Sequence, residues 1–298
     1  MRMKPLYQEF LAYLEVERNC SPLTVEAYAS DGRMFQRALD DFGVEADTDA
    51  IDRQLIRRYI IRMRKRDLSA ATVARRINSL RSFWTYIWDN QYVDHNPVRG
   101  LTLPKQSRNV PSYLSEQECR RILAATQKQK SPFWRCRDRA VLTFMLFTGA
   151  RRSEVLNARL SHLELDGQTV RFEAAKGDKT RVVPLADEVC NHLHEWLPVR
   201  PEADHDYIFT AKWGVPLGRR GLYSLLDRAL AGAEIKKEDV TLHTLRHSFA
   251  CLLLKNGADL HCLQRMLGHT RLDTTGIYLQ ATAEDLKEAV QKHPLNGR

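Results

Sequence analysis

The apolar positions of this chain recur mainly at helical steps. Between residues 69 and 88, Val73, Ile77, Leu80, Trp84 and Ile87 alternate steps of four and three, which predicts an amphipathic helix. Leu6, Phe10, Leu11 and Leu14 form a shorter stripe at the start of the chain. Ser21-Pro22 predicts the opening of a second helix, with serine as cap and proline at the first helical position. A further helix is predicted over about 51–66. On a helical wheel Ile51, Leu55, Tyr59 and Met63 share one side of it, and Arg53, Arg57 and Arg64 line another.

The pattern breaks at Leu101–Ser112, LTLPKQSRNVPS, where two prolines and several polar residues support neither a helix nor a buried face. Ser115 and Glu118 then have capping-box spacing. Asp138–Phe147 is strongly apolar and stops at Thr148-Gly149, after which a new helix starts with Arg151 in its first turn. Two hairpins follow, one signalled by Asp166-Gly167 and one with Lys176-Gly177 near its tip. Helices are predicted at about 187–197, 219–231 and 282–292. Two more end at Gly257 and Gly268, residues suited to a left-handed cap. The fold class is therefore mainly α, in two domains. Residues 1–101 are helical, 102–112 are a linker, and 113–298 are rich in helices with a small antiparallel sheet.

With 298 residues the chain is long enough for two cores. Its apolar and charged fractions are ordinary, so the net charge of +9 stands out and favours a polyanionic partner. The excess is concentrated. Residues 53–81 carry ten basic side chains against Asp67 alone, an excess as large as that of the whole chain. A helix bathed only in solvent usually mixes its signs, whereas contact with phosphates favours one. Arg53, Arg57, Arg64, Arg75, Arg76 and Arg81 are accordingly candidates for nucleic-acid contact. The N-terminal segment MRMKPLYQEFLAYL is interrupted by Gln8 and Glu9, unlike a signal peptide, and no run reaches the length of a membrane span. The six cysteines are scattered without a C-x-x-C pair, so a cytoplasmic protein with reduced thiols is expected.

The stretch from Thr241 to Tyr278 concentrates chemistry. His243 and Arg246 are three apart and share a helix face, His269 follows Gly268, and Tyr278 lies nine residues further on. Arg151 and Lys176 add two cations from elsewhere. Arginines present forked donors that match two phosphate oxygens, and a tyrosine can attack phosphorus and hold it covalently. A phenol is almost wholly protonated at neutral pH, so it needs a base or cationic surroundings. His243 and His247, four apart, could instead share a metal, although Arg246 lies between them and no H-E-x-x-H pattern is present. For His247, a buried histidine satisfied by its surroundings is the preferred reading.

Five segments in order carry a family resemblance: T-G-A-R-R-S-E at 148–154, K-G-D-K-T-R-V-V-P-L at 176–185, H-T-L-R-H-S-F-A at 243–250, L-G-H at 267–269 and Tyr278. With S-P-L-T-V-E-A-Y at 21–28 and N-S-L-R-S-F-W-T-Y at 78–86, they extend over essentially the whole chain. The chain resembles the tyrosine site-specific recombinases of the lambda-integrase family, most of all the short Xer-type enzymes. It departs at Ala150, where those enzymes usually carry leucine.

The resemblance implies a SAM-like core-binding domain and a catalytic domain that together clamp duplex DNA. It implies that Tyr278 forms a 3′-phosphotyrosyl link, that Arg151 and Arg246 hold the non-bridging oxygens, and that Lys176 protonates the leaving 5′-oxygen. His243 would accept the tyrosine proton, His269 would hydrogen-bond the phosphate, and Glu154 would support the geometry from behind. It implies no metal and no other cofactor. It further implies a Holliday junction, and a homo- or hetero-tetramer on the synapsed DNA in which Thr282–Val290 docks on a neighbour or on its own domain. A second recombinase or a DNA motor as partner, and a location at the nucleoid, are compatible with it. A type IB topoisomerase-like DNA relaxation activity, or a non-catalytic DNA-binding accessory protein, are the competing readings.

Overall fold

The computed structural model describes residues 1–101, 113–173, 180–237 and 240–268. The expected linker at 102–112, Lys176, His269, Tyr278 and the helix expected near 282–292 lie outside the described residues. The chain divides into two compact units, residues 1–108 and 109–298.

The first unit is built from α1 (Met3–Val16), α2 (Pro22–Phe42), α3 (Arg53–Lys65) and α4 (Ala70–Asp89). Each start after the first has a side-chain cap. Ser21 Oγ accepts from the Thr24 N–H at 3.2 Å, Asp52 Oδ1 from Leu55 at 2.7 Å, and Ser69 Oγ from Thr72 at 3.2 Å. The helix α3 begins two residues later than its apolar pattern suggests. Thr48–Ala50 closes a 3₁₀ turn, and Ile51 is buried while still extended, so Asp52 becomes the cap. All five stripe residues of α4 are buried, packed with Phe10, Phe35, Phe83 and Leu39 into one core. Each such fully buried side chain contributes about 1.5–3 kcal/mol.

The second unit is organised on α6 (Pro132–Thr148), whose stretch from Ala140 to Met145 is buried on every side. Around it lie α5 (Glu116–Thr126), α7 (Arg152–Leu156), α8 (Asp187–Trp196), α9 (Arg219–Gly232), α10 (Leu242–Lys255) and α11 (Leu260–Leu267). The capping box expected at Ser115 and Glu118 forms. The helix α6 starts six residues before the expected Asp138, with Pro132 at its first position. Its first turns were obscured because they bury charge. Arg137 and Asp138 pair at 2.5 Å in the core, and Asp138 also receives Arg228 and Gln129, each at 2.8 Å.

The strands β1 (Leu163–Glu164), β2 (Thr169–Phe172) and β3 (Arg181–Pro184) form an antiparallel sheet in that order, with Glu164 opposite Thr169 and Val170 opposite Val183. The first hairpin turns through four residues, Leu165–Gln168. Its left-handed residue is Gln168 (φ 49°), not the glycine. No helix among the described residues is long and apolar enough to cross a membrane.

Candidate active site

Thr148 ends α6 and starts the site. Its hydroxyl donates to the Phe144 carbonyl at 2.5 Å and accepts the Ala150 N–H at 3.2 Å. Gly149 takes the left-handed cap conformation at φ 61°. This turn delivers Arg151 to the N-cap of α7, just before its first turn. The Glu154 carboxylate reaches back to accept the Arg151 backbone N–H at 2.6 Å. Only that half of a capping box can form, because a guanidinium has no acceptor to offer the helix.

The Glu154 carboxylate is enclosed by arginines. Arg181 of β3 pairs with both of its oxygens, through Nη1 to Oε1 and through Nη2 to Oε2 at 2.8 Å. Arg151 Nη1 lies 3.3 Å from Oε1. Burial by itself would raise the pKa of Glu154. The hydrogen bonds and charge of Arg181, then the N–H and charge of Arg151, outweigh it and hold the carboxyl below its ordinary range.

Across from this group, α10 is capped by Thr241 and Thr244, each side-chain oxygen accepting the other's N–H. One turn in, Arg246 is 2% exposed. Its Nη1 donates to the Gly149 carbonyl at 2.6 Å and its Nη2 to the Leu267 carbonyl at 2.7 Å. Met266, Leu267 and Gly268 end α11, where a helix leaves carbonyls without intrahelical partners. Three arginines supply those partners in succession: Arg181 Nε to Met266 at 2.7 Å, Arg246 to Leu267, and Arg151 Nη2 to Gly268 at 3.4 Å. Guanidinium groups from three distant segments thus converge on the turn that leads in sequence to His269.

His243 lies on the same face of α10 at the protein surface. Partial desolvation, then the positive charges of Arg246 and Arg151, hold its pKa below the ordinary histidine value. It is therefore a neutral imidazole at pH 7, able to accept a proton. His247 has a different setting. It is 5% exposed, packs edge-on against Tyr113, and brings Nε2 to 3.8 Å from Cys251 Sγ, which suits a packing role. Among the described residues no group of three or more His, Cys, Asp or Glu is placed to hold a metal ion.

Arginine and histidine clustered in this way, on elements in this order, invite comparison with known proteins. Residues 112–285 match the profile of the phage integrase family, and residues 7–91 match its N-terminal SAM-like domain. The chain belongs to the phage integrase family. It is 34% identical over 298 residues to tyrosine recombinase XerC of Lacticaseibacillus casei, with 98% of each chain covered. It is 33% identical over 299 residues to tyrosine recombinase XerD of Listeria innocua, covering 98% of this chain and 99% of that one. Among solved structures, XerH site-specific recombinase bound to palindromic difH substrate in a post-cleavage complex matches with a TM-score of 0.77 and 26% identity. That match covers 96% of this chain and 84% of the other. The protein is thus a recombinase enzyme, and its activity is site-specific recombination.

Of the residues singled out in the sequence of this recombinase, Arg151, Glu154, His243 and Arg246 come together. Arg181 was missed, although it stands inside one of the quoted motifs. Its signal was a charge in a strand at the same parity as Val183, hence on the inward face. In the first unit, Arg53, Arg57 and Arg64 are exposed along α3, with Arg53 Nη2 also donating to the Arg99 carbonyl at 2.8 Å. Arg75 and Arg76 converge on the buried Asp31, at 2.5 and 3.9 Å. Arg81 donates to the Leu101 carbonyl and to Asn78 Oδ1 at 3.1 Å.

Proposed function

We propose that this recombinase binds duplex DNA and exchanges strands through a covalent 3′-phosphotyrosyl intermediate and a Holliday junction. The observation that carries the reading is the convergence of Arg151 and Arg246, from segments nearly a hundred residues apart, beside an imidazole whose pKa is held down by partial desolvation and then by their charge. Two forked cations there suit the non-bridging oxygens of a phosphodiester, whose charge grows as a fifth oxygen approaches phosphorus. The Tyr278 hydroxyl oxygen attacks that phosphorus, and the bond to the 5′-oxygen breaks. The phenol proton passes to His243, and Lys176 supplies a proton to the departing 5′-oxygen. His269 hydrogen-bonds the phosphate. Rejoining reverses the step: the 5′-hydroxyl of the partner strand attacks the phosphotyrosine and releases Tyr278. The energy of the original bond is held in the link throughout.

Residues 1–101 act as a core-binding domain and 113–298 as the catalytic domain, joined by 102–112. The exposed stripe Arg53, Arg57 and Arg64 contacts phosphates, its uniform sign being the supporting feature. Arg75, Arg76 and Arg81 contribute to DNA contact from the positions they take around Asp31 and Leu101. Four protomers assemble on the synapsed DNA in the cytoplasm, at the nucleoid. The enzyme is tested by lysing cells that express it in detergent, precipitating protein-linked DNA and sequencing the trapped ends. Ends piling up at one recurrent site, attached through their 3′-phosphates, are expected. Trapped ends spread without site preference, with relaxation of any supercoiled plasmid, would replace strand exchange by a topoisomerase-like activity. Absence of linked DNA would remove covalent catalysis.

A further inference from the structure

Arg181 occupies a core-facing position of β3. It and Val183 turn inward, while Val182 and Pro184 face out. A guanidinium 9% exposed is costly unless its donors are met. Here they are met on three sides. Nη1 and Nη2 take the two oxygens of Glu154, Nε donates to the Met266 carbonyl at 2.7 Å, and the guanidinium lies 4.9 Å from the Phe172 ring centroid.

We propose that Arg181 is a positioning residue for strand cleavage: by engaging both oxygens of Glu154, it keeps the Arg151 guanidinium from closing a forked pair on that carboxylate and so leaves it directed at the phosphate. A carboxylate accommodates one fork in its plane at a time. With Arg181 in place, Arg151 approaches Glu154 through its backbone N–H at 2.6 Å and through one terminal nitrogen at 3.3 Å. Without Arg181, a carboxylate only 10% exposed would retain Arg151 as its cationic neighbour, and burial strengthens such a pair. The second contact works with the first. Through Met266, Arg181 ties β3 to the same α11 terminus that Arg246 and Arg151 hold through Leu267 and Gly268. The inference rests on the reading that Arg151 holds the scissile phosphate.

Its test is single-turnover cleavage of a nicked duplex bearing the site recovered from trapped adducts, with duplex affinity and thermal melting measured in parallel. Arg181→Met is expected to lower the cleavage rate constant roughly 100-fold, the scale on which one misdirected donor to the transition state acts, with affinity nearly unchanged. Arg181→Lys keeps the charge without the fork and recovers only part of the loss. The deciding variant is Arg181→Met/Glu154→Gln. Removing the carboxylate charge removes the competitor for Arg151, so this double variant should cleave at least roughly tenfold faster than Arg181→Met. A double variant no faster than the single one overturns the proposal. If Arg181→Met fails to melt cooperatively, Arg181→Lys with and without Glu154→Gln gives the same comparison. Arg151→Lys separates the two readings. Undiminished adduct in that variant removes the phosphate role of Arg151, whereas lost adduct without rescue of Arg181→Met removes the assignment of Arg181 alone.

Discussion

Gly149 is where a single methyl group should separate backbone strain from packing. Its φ of 61° is left-handed, and its carbonyl receives Arg246. A Cβ built there would stand 2.5 Å from Phe249 Cδ1 and 2.9 Å from Leu267 Cδ2, both in a well-packed cluster with Ala250 and Leu263. Gly257, in the same unit, has φ 84° and nothing within 4 Å of its Cβ position. Gly257→Ala therefore suffers only the left-handed penalty, about 1–2 kcal/mol. Gly149→Ala adds overpacking, about 1–3 kcal/mol, for about 2–5 kcal/mol in all. Urea unfolding followed by fluorescence of the second unit's Trp134 and Trp196 measures both, provided the slopes agree. Gly149→Ala should also lose more DNA cleavage, because its carbonyl orients Arg246. Equal destabilisation by the two substitutions would refute the claim that Phe249 and Leu267 hold this turn closed.

Cleavage should keep more than half of its full rate as pH falls to about 6.5, because His243, held below the ordinary histidine value, is still mostly neutral there. The acidic midpoint of the rate profile is expected below that value, and a midpoint above it would remove His243 as proton acceptor. Replacing Arg53, Arg57 and Arg64 together by glutamine should reduce the slope of log affinity against log salt by about 2–3, as expected for three lost phosphate contacts. An unchanged slope would take α3 out of the DNA interface. Arg137→Met should cost about 3–5 kcal/mol in urea unfolding by breaking its pair with buried Asp138. A cost under about 1 kcal/mol would show that Arg228 and Gln129 are sufficient partners for that carboxylate.

The sequence was most informative where one physical rule governed a whole segment. The α4 stripe and the caps at Ser21 and Ser115 were legible because periodicity and local hydrogen bonding set them. Boundaries shifted where long-range packing intervened. Ile51 belongs to the apolar face of the pattern yet is buried ahead of the helix, and Arg137 and Asp138 look like surface residues but pair inside α6. At the site, Arg151, His243 and Arg246 could be chosen because their chemistry fits a phosphate. The succession of carbonyls at Met266, Leu267 and Gly268 could not be read, since no local signal tells which arginine will meet which helix end. Arg181 was hidden by the same cause. Its parity in β3 marked it as inward, but only the fold brings it to Glu154.

The central claim is that Tyr278 becomes covalently joined to DNA. It is tested by incubating the wild-type enzyme and Tyr278→Phe with a nicked duplex carrying the recovered site, then resolving the products on a denaturing gel. The wild type should yield a protein-linked strand whose phosphate is bonded to tyrosine. Tyr278→Phe should bind the same duplex and yield no such band. A persisting adduct in Tyr278→Phe would contradict the assignment.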